Sequence, residues 1–209
     1  MSKNRGFEIA LTTEKMVHEN KAVKVGVPQY DGIKLPKRGT KRSAGYDLCA
    51  AEDIIIPSIW RGLGDVFEIF GDTLVNKVRG YVDSLREHNN ENKEYEEFYK
   101  RLFNPTHIHT GLKAYMQDDE VLEIYVRSST PKRFGLILAN SVGIIDADYY
   151  NNPDNDGEIQ LIVYNILPFD VKIKKGERIA QGIFKKFLKA DNDIAGGDRL
   201  GGQGSTGSN

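Results

Sequence analysis

The sequence lacks several features that mark whole classes of protein. Its 209 residues include a single cysteine, Cys49, so an intrachain disulfide framework is excluded. The formal net charge is only −1, which gives no electrostatic reason to expect nucleic acid or an anionic membrane as a partner. No run approaches the roughly 20 apolar residues of a membrane span, and the first residues lack the apolar core of a signal peptide. A protein of the reducing cytoplasm is therefore expected.

What is present is the composition of an ordinary globular domain. Hydrophobic residues make up 39% and charged residues 28% of the chain, and the chain is long enough to bury a real core. Roughly ten short runs with alternating or β-branched character, bounded by Gly, Pro, Asn and Asp, predict strands. The pattern predicts a mainly β fold, an antiparallel jelly roll or distorted barrel.

Residues 58–107 interrupt this β pattern. Apolar residues recur there with the 3.6-residue period of a helix over 66–85 and again, more briefly, over 95–102. With a short polar loop between them, the two stretches predict an antiparallel helical hairpin. Such an insertion could brace the β domain or offer a surface to a protein partner, and the sequence does not separate the two. The predicted β domain is therefore discontinuous, comprising 1–57 and 108–189.

The segment from Phe134 to Tyr149 is the one around which the chemistry is organised. It predicts a strand, a break at Asn140-Ser141, and a second strand, that is, an apolar hairpin. Asp146 and Asp148 stand two apart in the expected extended geometry, which would point both carboxylates to one face and Tyr149 to the other. A carboxylate at the rim of such a hairpin can be held partly desolvated and then serve as a general base. Solvated turn residues are the commoner explanation for this pattern alone.

Two further segments suit phosphate groups. Arg127-Ser128-Ser129 follows directly on a predicted strand and combines a charged donor, hydroxyls and backbone N–H groups. Residues 190–209 are dominated by Gly, Ser, Asp and Asn, which predicts a flexible C-terminal arm. Glycine in such an arm lets the backbone approach a ligand closely.

Five segments occur along the chain in a fixed order. They are Ala44-Gly-Tyr-Asp-Leu48, Arg127-Ser-Ser129, the 134–149 segment with Gly157-Glu158, Gly176-Glu-Arg-Ile-Ala-Gln181, and the tail Arg199-Leu-Gly-Gly-Gln-Gly-Ser-Thr-Gly207. Together they resemble the homotrimeric dUTP pyrophosphatase (dUTPase) family. The resemblance implies a Mg²⁺-dependent enzyme that hydrolyses dUTP to dUMP and pyrophosphate, in a homotrimer whose active sites are shared between subunits. Such an enzyme keeps uracil out of DNA and supplies dUMP for thymidylate synthesis.

The resemblance also implies roles for single residues. Asp146 would accept a proton from the water that attacks the α-phosphorus, Gln181 would help to hold that water, and Arg199 would act at the γ-phosphate. Asp47 would bind Mg²⁺ through water, as suits an ion that dehydrates reluctantly. The implied substrate-binding residues are Arg127, Ser128 and Ser129 at the phosphates, Asn140, Gly143, Ile145 and Tyr149 at uracil and deoxyribose, and Gln203, Gly204, Ser205 and Thr206 in the arm.

The chain departs from the family pattern in four places. Ser129 stands where the family most often has Gly, and Gln203 stands where it commonly has a Phe that stacks on uracil. A glutamine cannot supply the ~1–3 kcal/mol of base stacking that an aromatic ring provides. Residues 150–156 lengthen the turn before Gly157, and the insertion 58–107 is additional.

Two alternatives remain open from the sequence. A dCTP deaminase of the same fold would need a Glu base near the pyrimidine amino group, and the order Asp146-Ala-Asp-Tyr149 favours the diphosphohydrolase. A regulatory protein could instead bind a partner through 58–107, with hydrolysis secondary. A zinc-type deaminase is excluded because neither His-x-Glu nor Pro-Cys-x-x-Cys occurs in the chain.

Overall fold

Antiparallel strands dominate the computed structural model, which describes residues 3–18, 21–61 and 104–194. The helix α1 (Thr130–Phe134) and a 3₁₀ turn (Ala147–Tyr149) lie between strands. The predicted mainly β, antiparallel fold is confirmed. The strands are β1 (Gly6–Ile9), β2 (Leu11–His18), β3 (Lys21–Pro28), β4 (Tyr46–Cys49), β5 (Ile54–Ile56), β6 (Thr106–His109), β7 (Leu112–Tyr115), β8 (Glu120–Val126), β9 (Leu136–Leu138), β10 (Gly143–Asp146), β11 (Gln160–Asn165), β12 (Val171–Ile173) and β13 (Arg178–Lys186).

A four-stranded sheet in the order β10-β8-β13-β4 carries five of the predicted site residues, namely Asp47, Gly143, Ile145, Asp146 and Gln181. Its register places Gln181 of β13 opposite Asp47 of β4 on one side and Tyr125 of β8 on the other. At the other edge, Asp146 of β10 lies opposite Val121 of β8. Directly opposed residues have their side chains on the same face of a sheet. The register therefore shows which residues of the two edge strands, β4 and β10, share a face. Smaller sheets, β1-β7, β6-β11-β9, β12-β5 and β2-β3, complete the described fold.

One hydrophobic core holds these sheets together. Side chains from β1, β4 to β9 and β11 to β13 contribute to it. In β11 the alternation is regular: Leu161, Val163 and Asn165 are buried and the residues between them are not. Full burial of a Leu or Ile side chain stabilises the fold by about 1.5–3 kcal/mol. The buried side-chain amide of Asn165 keeps its hydrogen bonds, because its Nδ2 donates to Ile56 O and Phe169 O.

The hairpin expected over 134–149 is wrong, although its two strands exist. β9 pairs with β11 and β10 pairs with β8, so the chain crosses from one sheet to another between them. The crossing is made by a tight turn in which Ser141 has a left-handed φ of +61°. The helix α1 before β9 was also missed, because Pro131 at its start reads locally as a turn residue.

The two predicted helices of the insertion fall within 62–103 and lie outside the described residues. Where the chain is described again, β6 begins at Thr106, two residues before the predicted boundary at 108. Ser58 is buried at the start of the insertion and its hydroxyl donates to Leu167 O at 2.5 Å. The bounds of the insertion, 58–107, stay a prediction.

Within 3–18, 21–61 and 104–194, no helix has the length and apolar character needed to cross a bilayer.

Candidate active site

A carboxylate held between two arginines lies at the β4 edge of the four-stranded sheet. Oδ1 of Asp47 is 2.8 Å from Nε of Arg127, and Oδ2 accepts a hydrogen bond from Nη1 of Arg178 at 3.1 Å. The Asp47 side chain is 18% exposed, so these ion pairs are partly shielded from water. The two guanidinium groups orient the carboxylate and leave each oxygen a further lone pair for another donor.

Gln181 stands beside Asp47 because β13 and β4 pair in that register. Gly45, just before β4, makes room for it, since a Cβ at this position would collide with the Gln181 side-chain amide. The absence of a side chain at Gly45 is therefore a packing requirement for the glutamine. The fold thus brings together Asp47 of β4, Gln181 of β13 and Arg127, which directly follows β8.

Arg178 is a member of this cluster that sequence reasoning missed. The β13 register shifts between Arg178 and Ala180, and Ile179 and Ala180 are both fully buried where simple alternation would bury only one. An irregularity of this kind re-aims the side chain beside it, which lets Arg178 reach Asp47. The available signal was a basic residue at the start of a predicted strand next to Gln181.

Ser128 and Ser129 follow Arg127 in the loop that leads into α1. Ser128 is exposed and Ser129 is half-buried. Thr130 closes the loop: its backbone N–H donates to Arg127 O at 2.9 Å, and its buried hydroxyl donates to Ile179 O at 2.6 Å. These bonds hold the two serines close to Arg127 and the Asp47 carboxylate that it pairs with.

The second group of predicted site residues lies at the opposite edge of the sheet. Asp146 ends β10 and is exposed. The extended geometry expected through Asp148 is wrong, because Ala147–Tyr149 form a 3₁₀ turn. The described residues of one chain also leave Asp146 open to solvent, so they do not supply the partly desolvated setting expected for it. An open cavity of about 410 Å³ here is lined by Asp118, Glu120, Asp146, Ala147, Asp148 and Phe187.

Tyr149 points inward from the same turn and is only 5% exposed. Its hydroxyl donates to Glu158 O at 3.2 Å and accepts a hydrogen bond from Nδ2 of Asn155 at 2.9 Å. The ring therefore has a fixed orientation and presents only a narrow surface to a ligand.

Asn140, Gly143 and Ile145 occupy the turn and the edge strand before Asp146. Within the described residues, β10 pairs with β8 alone, so the backbone groups on its outer side face no further strand. A Cβ on Gly143 would lie 3.1 Å from Cβ of Ile124 and 3.8 Å from Nδ2 of Asn140. Asn140 is exposed and Ile145 packs half-buried against the core. An amide and open backbone groups thus lie together at the sheet edge.

The two groups share one face of the sheet but are far apart in a single chain. Asp47 lies opposite Gln181, which lies opposite Tyr125 of β8. Asp146 lies opposite Val121 of β8, and Val121 and Tyr125, four residues apart, are on the same face of that strand. Three strand spacings of ~4.8 Å and four residues of ~3.3 Å separate Asp47 from Asp146, which puts them roughly 20 Å apart. One chain therefore does not assemble all the predicted residues around one ligand.

Five predicted site residues lie outside the described residues, and their roles stay predictions. The composition of residues 190–209 remains the reason to expect an arm there. The five are Arg199, Gln203, Gly204, Ser205 and Thr206.

Comparison with known proteins shows the family of the chain. The family model described as dUTPase matches residues 94–203. A deoxyuridine 5'-triphosphate nucleotidohydrolase from Lactococcus lactis subsp. lactis (strain IL1403) is 41% identical over 178 residues, covering 84% of this chain and 89% of the relative. This chain belongs to the dUTPase family. A relative of the same name from Paramecium bursaria Chlorella virus 1 is 27% identical over 180 residues, covering 82% of this chain and 89% of its own length.

Solved structures of the family are similar in fold. The dUTPase from Streptococcus mutans superposes with a TM-score of 0.57 at 32% identity, covering 90% of this chain and 99% of that one. A mutant dUTPase from phage phi11 of S. aureus has a TM-score of 0.50 at 14% identity, covering 81% and 94%, and supports the fold alone. That phage protein is described as coordinating a structural Mg(II) ion.

Proposed function

We infer that this chain is a dUTP diphosphatase whose active sites are built by two copies together. Family membership supports the reaction. The observation that carries the shared site is the separation of roughly 20 Å between Asp47 and Asp146 on one sheet face. A general base must lie within hydrogen-bond reach of the attacking water, so both groups have to meet at the same phosphate. Asp146 of one copy therefore meets the Asp47 group of another, and a homotrimer closes such contacts into a ring.

The Asp47 group forms the phosphate end of the site. Arg127 supplies positive charge, the Ser128 hydroxyl donates to α- and β-phosphate oxygens, and the backbone N–H of Ser129 adds a further donor. Arg178, the second arginine on Asp47, adds positive charge at the same edge. Phosphoryl transfer asks a protein mainly for such positioning and charge neutralisation.

The residues at Asp47 fit a magnesium ion held through water. Its two carboxylate oxygens are already paired with Arg127 and Arg178, which disfavours direct ligation of a second cation. A lone pair on each oxygen is left to accept hydrogen bonds from water molecules on Mg²⁺, which usually keeps several. Among the described residues, no group of three or more His, Cys, Asp or Glu could hold the ion by itself. Bound to the triphosphate, the ion neutralises phosphate charge.

The β10 edge forms the base and sugar end. Open backbone groups after Gly143 and the exposed Asn140 amide match the donors and acceptors along the edge of uracil. Ile145 holds this edge strand against the core. Tyr149, in its fixed orientation, lies against the deoxyribose and excludes a ribose 2′-hydroxyl by steric contact.

Asp146 is the general base. The water oxygen bonds to the α-phosphorus, the water proton passes to the Asp146 carboxylate, and the bond from the α-phosphorus to the bridging oxygen breaks. Pyrophosphate leaves and dUMP remains. Gln181 orients the attacking water from the partner's side of the site.

The C-terminal arm completes the site over the β- and γ-phosphates. Arg199 contacts the γ-phosphate, while Gly204, Ser205 and Thr206 supply backbone and hydroxyl donors. Gln203 lies near uracil without the stacking that an aromatic ring would add. The reaction supplies dUMP for thymidylate synthesis and keeps uracil out of DNA.

The decisive experiment is Asp146→Asn with dUTP and Mg²⁺, measured as pyrophosphate release. The amide keeps the shape of the side chain but cannot accept the proton, so kcat should fall by about 10²–10⁴-fold with little change in KM. Asp148→Asn is the matched control because Asp148 lines the same cavity and stands two residues away. We expect it to retain the parent's rate. If the Asp146 variant hydrolyses dUTP as fast as the parent, the assignment is wrong.

A further inference from the structure

A buried lysine forms hydrogen bonds to the loop 150–157, which follows Tyr149. Lys113, on β7, is 6% exposed. Its ammonium group donates to Oδ1 of Asn151 at 2.6 Å and to Oδ2 of Asp156 at 2.7 Å. A charge is buried at this depth only when it is paired and hydrogen-bonded, and here both conditions are met.

The two residues that Lys113 holds are those with strained backbone in this loop. Asn151 and Asp156 each have a left-handed φ of +58°, and Gly157 follows with a φ of +79°. Left-handed backbone is unfavourable for residues other than glycine, although Asn and Asp tolerate it best. The ammonium thus cross-links both ends of a turn that the backbone alone would not favour.

The shape of this turn determines the orientation of Tyr149. The Tyr149 carbonyl accepts hydrogen bonds from the backbone N–H and the side-chain amide of Asn152, at 3.3 and 3.0 Å. Asn155 donates to the Tyr149 hydroxyl. A Cβ on Gly157 would lie 2.5 Å from Tyr149 O, so the turn closes directly on the tyrosine. A change in the turn therefore moves the ring.

Neighbouring contacts anchor the same loop to β1 and β7. The Tyr150 hydroxyl donates to Oε2 of Glu8 at 2.6 Å, and the Tyr150 ring lies 5.0 Å from Nζ of Lys113. Burial, and then the hydrogen bond to Glu8, raise the pKa of Tyr150 to about 12, so its hydroxyl keeps its proton. Asp156 also accepts the Leu11 backbone N–H at 2.8 Å. Lys113 stands at the centre of these contacts because it is opposite Glu8 in the β1–β7 pair.

We propose that Lys113 is a positioning residue for sugar selection: by bonding Asn151 and Asp156 it fixes Tyr149, and so sets the preference for deoxyribose over ribose triphosphates. This rests on the proposed function, in which Tyr149 lies against the sugar. The residues of the lengthened turn thereby acquire a role in substrate specificity without touching the substrate.

The test is Lys113→Met, which keeps the apolar stem and removes the ammonium. We expect kcat/KM for dUTP to fall about tenfold while kcat/KM for UTP falls less, so that the dUTP-to-UTP ratio drops severalfold. If Lys113 had a purely structural role, its replacement would lower the melting temperature and would lower kcat/KM for dUTP and for UTP by the same factor. Lys172→Met is the matched control, since Lys172 is 61% exposed and lies 3.8 Å from its partner Asp53. The Lys172→Met variant should have the parent's ratio of kcat/KM for dUTP to kcat/KM for UTP.

A second variant decides the matter if Lys113→Met does not fold. Asn151→Gly removes one of the two bonds, and glycine adopts left-handed backbone without strain. It should fold and show a smaller drop in the dUTP-to-UTP ratio. An unchanged ratio in a folded variant overturns the role of Lys113 alone. A parent that hydrolyses UTP as readily as dUTP overturns the proposed function instead.

Discussion

The smallest side chain in the candidate site has one of the tightest packing requirements. Gly45 adjoins the Gln181 amide so closely that no Cβ fits between them. Gln181 lies opposite Asp47, so a displaced glutamine would also disturb the carboxylate that Arg127 and Arg178 hold. If the proposed function holds, a single methyl group at this position acts on the chemistry through packing.

We predict that Gly45→Ala loses activity without losing the fold. Displacing Gln181 by about 1 Å should cost on the order of 10²-fold in kcat, because the attacking water is then misplaced. Pyrophosphate release measures the loss. Gly39→Ala is the control, since Gly39 has nothing within 4 Å of a built Cβ and should keep full activity. Full activity in the Gly45 variant would contradict a role for Gln181 at the reacting centre.

Asp47 shows why a single residue is hard to assign from its own neighbours in sequence. Its carboxylate is held by Arg127, which follows β8, and by Arg178, at the start of β13. Only Arg127 was expected at the site. The second arginine supports the proposal that Asp47 contacts a cation through water.

At the scale of elements, the start of β8 is tied to the N-terminal segment. Glu120 is 4% exposed and forms an ion pair with Arg5 that includes two hydrogen bonds. It also accepts the Gln117 backbone N–H at 3.2 Å. These contacts stabilise the β8 end that faces Asp146, because Glu120 lines the same cavity.

This pairing predicts a pH dependence of stability. The hydrogen bond from Arg5 lowers the pKa of Glu120 below its ordinary value of 4.5. A lowered carboxyl pKa contributes stability that is present above the ordinary value and is lost as the pH falls through the folded-state value. The melting temperatures of the parent and Glu120→Gln, compared at one protein concentration, should therefore differ at pH 7 and converge below pH 4.5.

An exposed carboxylate provides the comparison. Glu52→Gln should leave the melting temperature near the parent's across the same range, since Glu52 lies at the surface. A difference between the parent and Glu120→Gln that stayed constant down to strongly acidic pH would show that the ion pair does not contribute in this way.

For the whole molecule, the separation of Asp47 from Asp146 predicts that activity is a property of the assembly. Each copy would contribute its Asp47 group to one site and its Asp146 group to another. Sites built this way can be restored by mixing copies that are defective in different halves. Sites built within one chain cannot.

We therefore predict complementation between Asp47→Asn and Asp146→Asn. Unfolded and refolded together in equal amounts, the two inactive variants should recover about a quarter of the parent's activity, because one pairing in four joins two intact halves in a closed ring. Refolding each variant alone is the control and should restore nothing. A mixture as inactive as its components would place both residues in a site within one chain.

The insertion belongs to the same scale. Its predicted helices over 66–85 and 95–102 lie outside the described residues, so its role as a brace or a docking surface stays a prediction. The described residues on its two sides both pair with β11. Ser58 forms a bridge to Asn165, and Thr106 pairs with Val163 two residues earlier on β11, so both flanks adjoin the same end of that strand.

Local patterns in the chain were enough to predict the β class and strands such as 160–165. The phosphate and general-base residues were named from the resemblance to the dUTPase family, and their roles stay predictions. Alternation and residue chemistry act over a few neighbouring positions, and they are legible without a fold. Three features depend on the register between strands that are distant in sequence. They are the pairing of β9 and β10 with different strands, the orientation of Arg178 towards Asp47, and the hydrogen bonds of Lys113 to Asn151 and Asp156. No local period encodes that register, because it is set by how all the strands bury their apolar faces together, and so the distance between Asp47 and Asp146 could be obtained only from the folded chain.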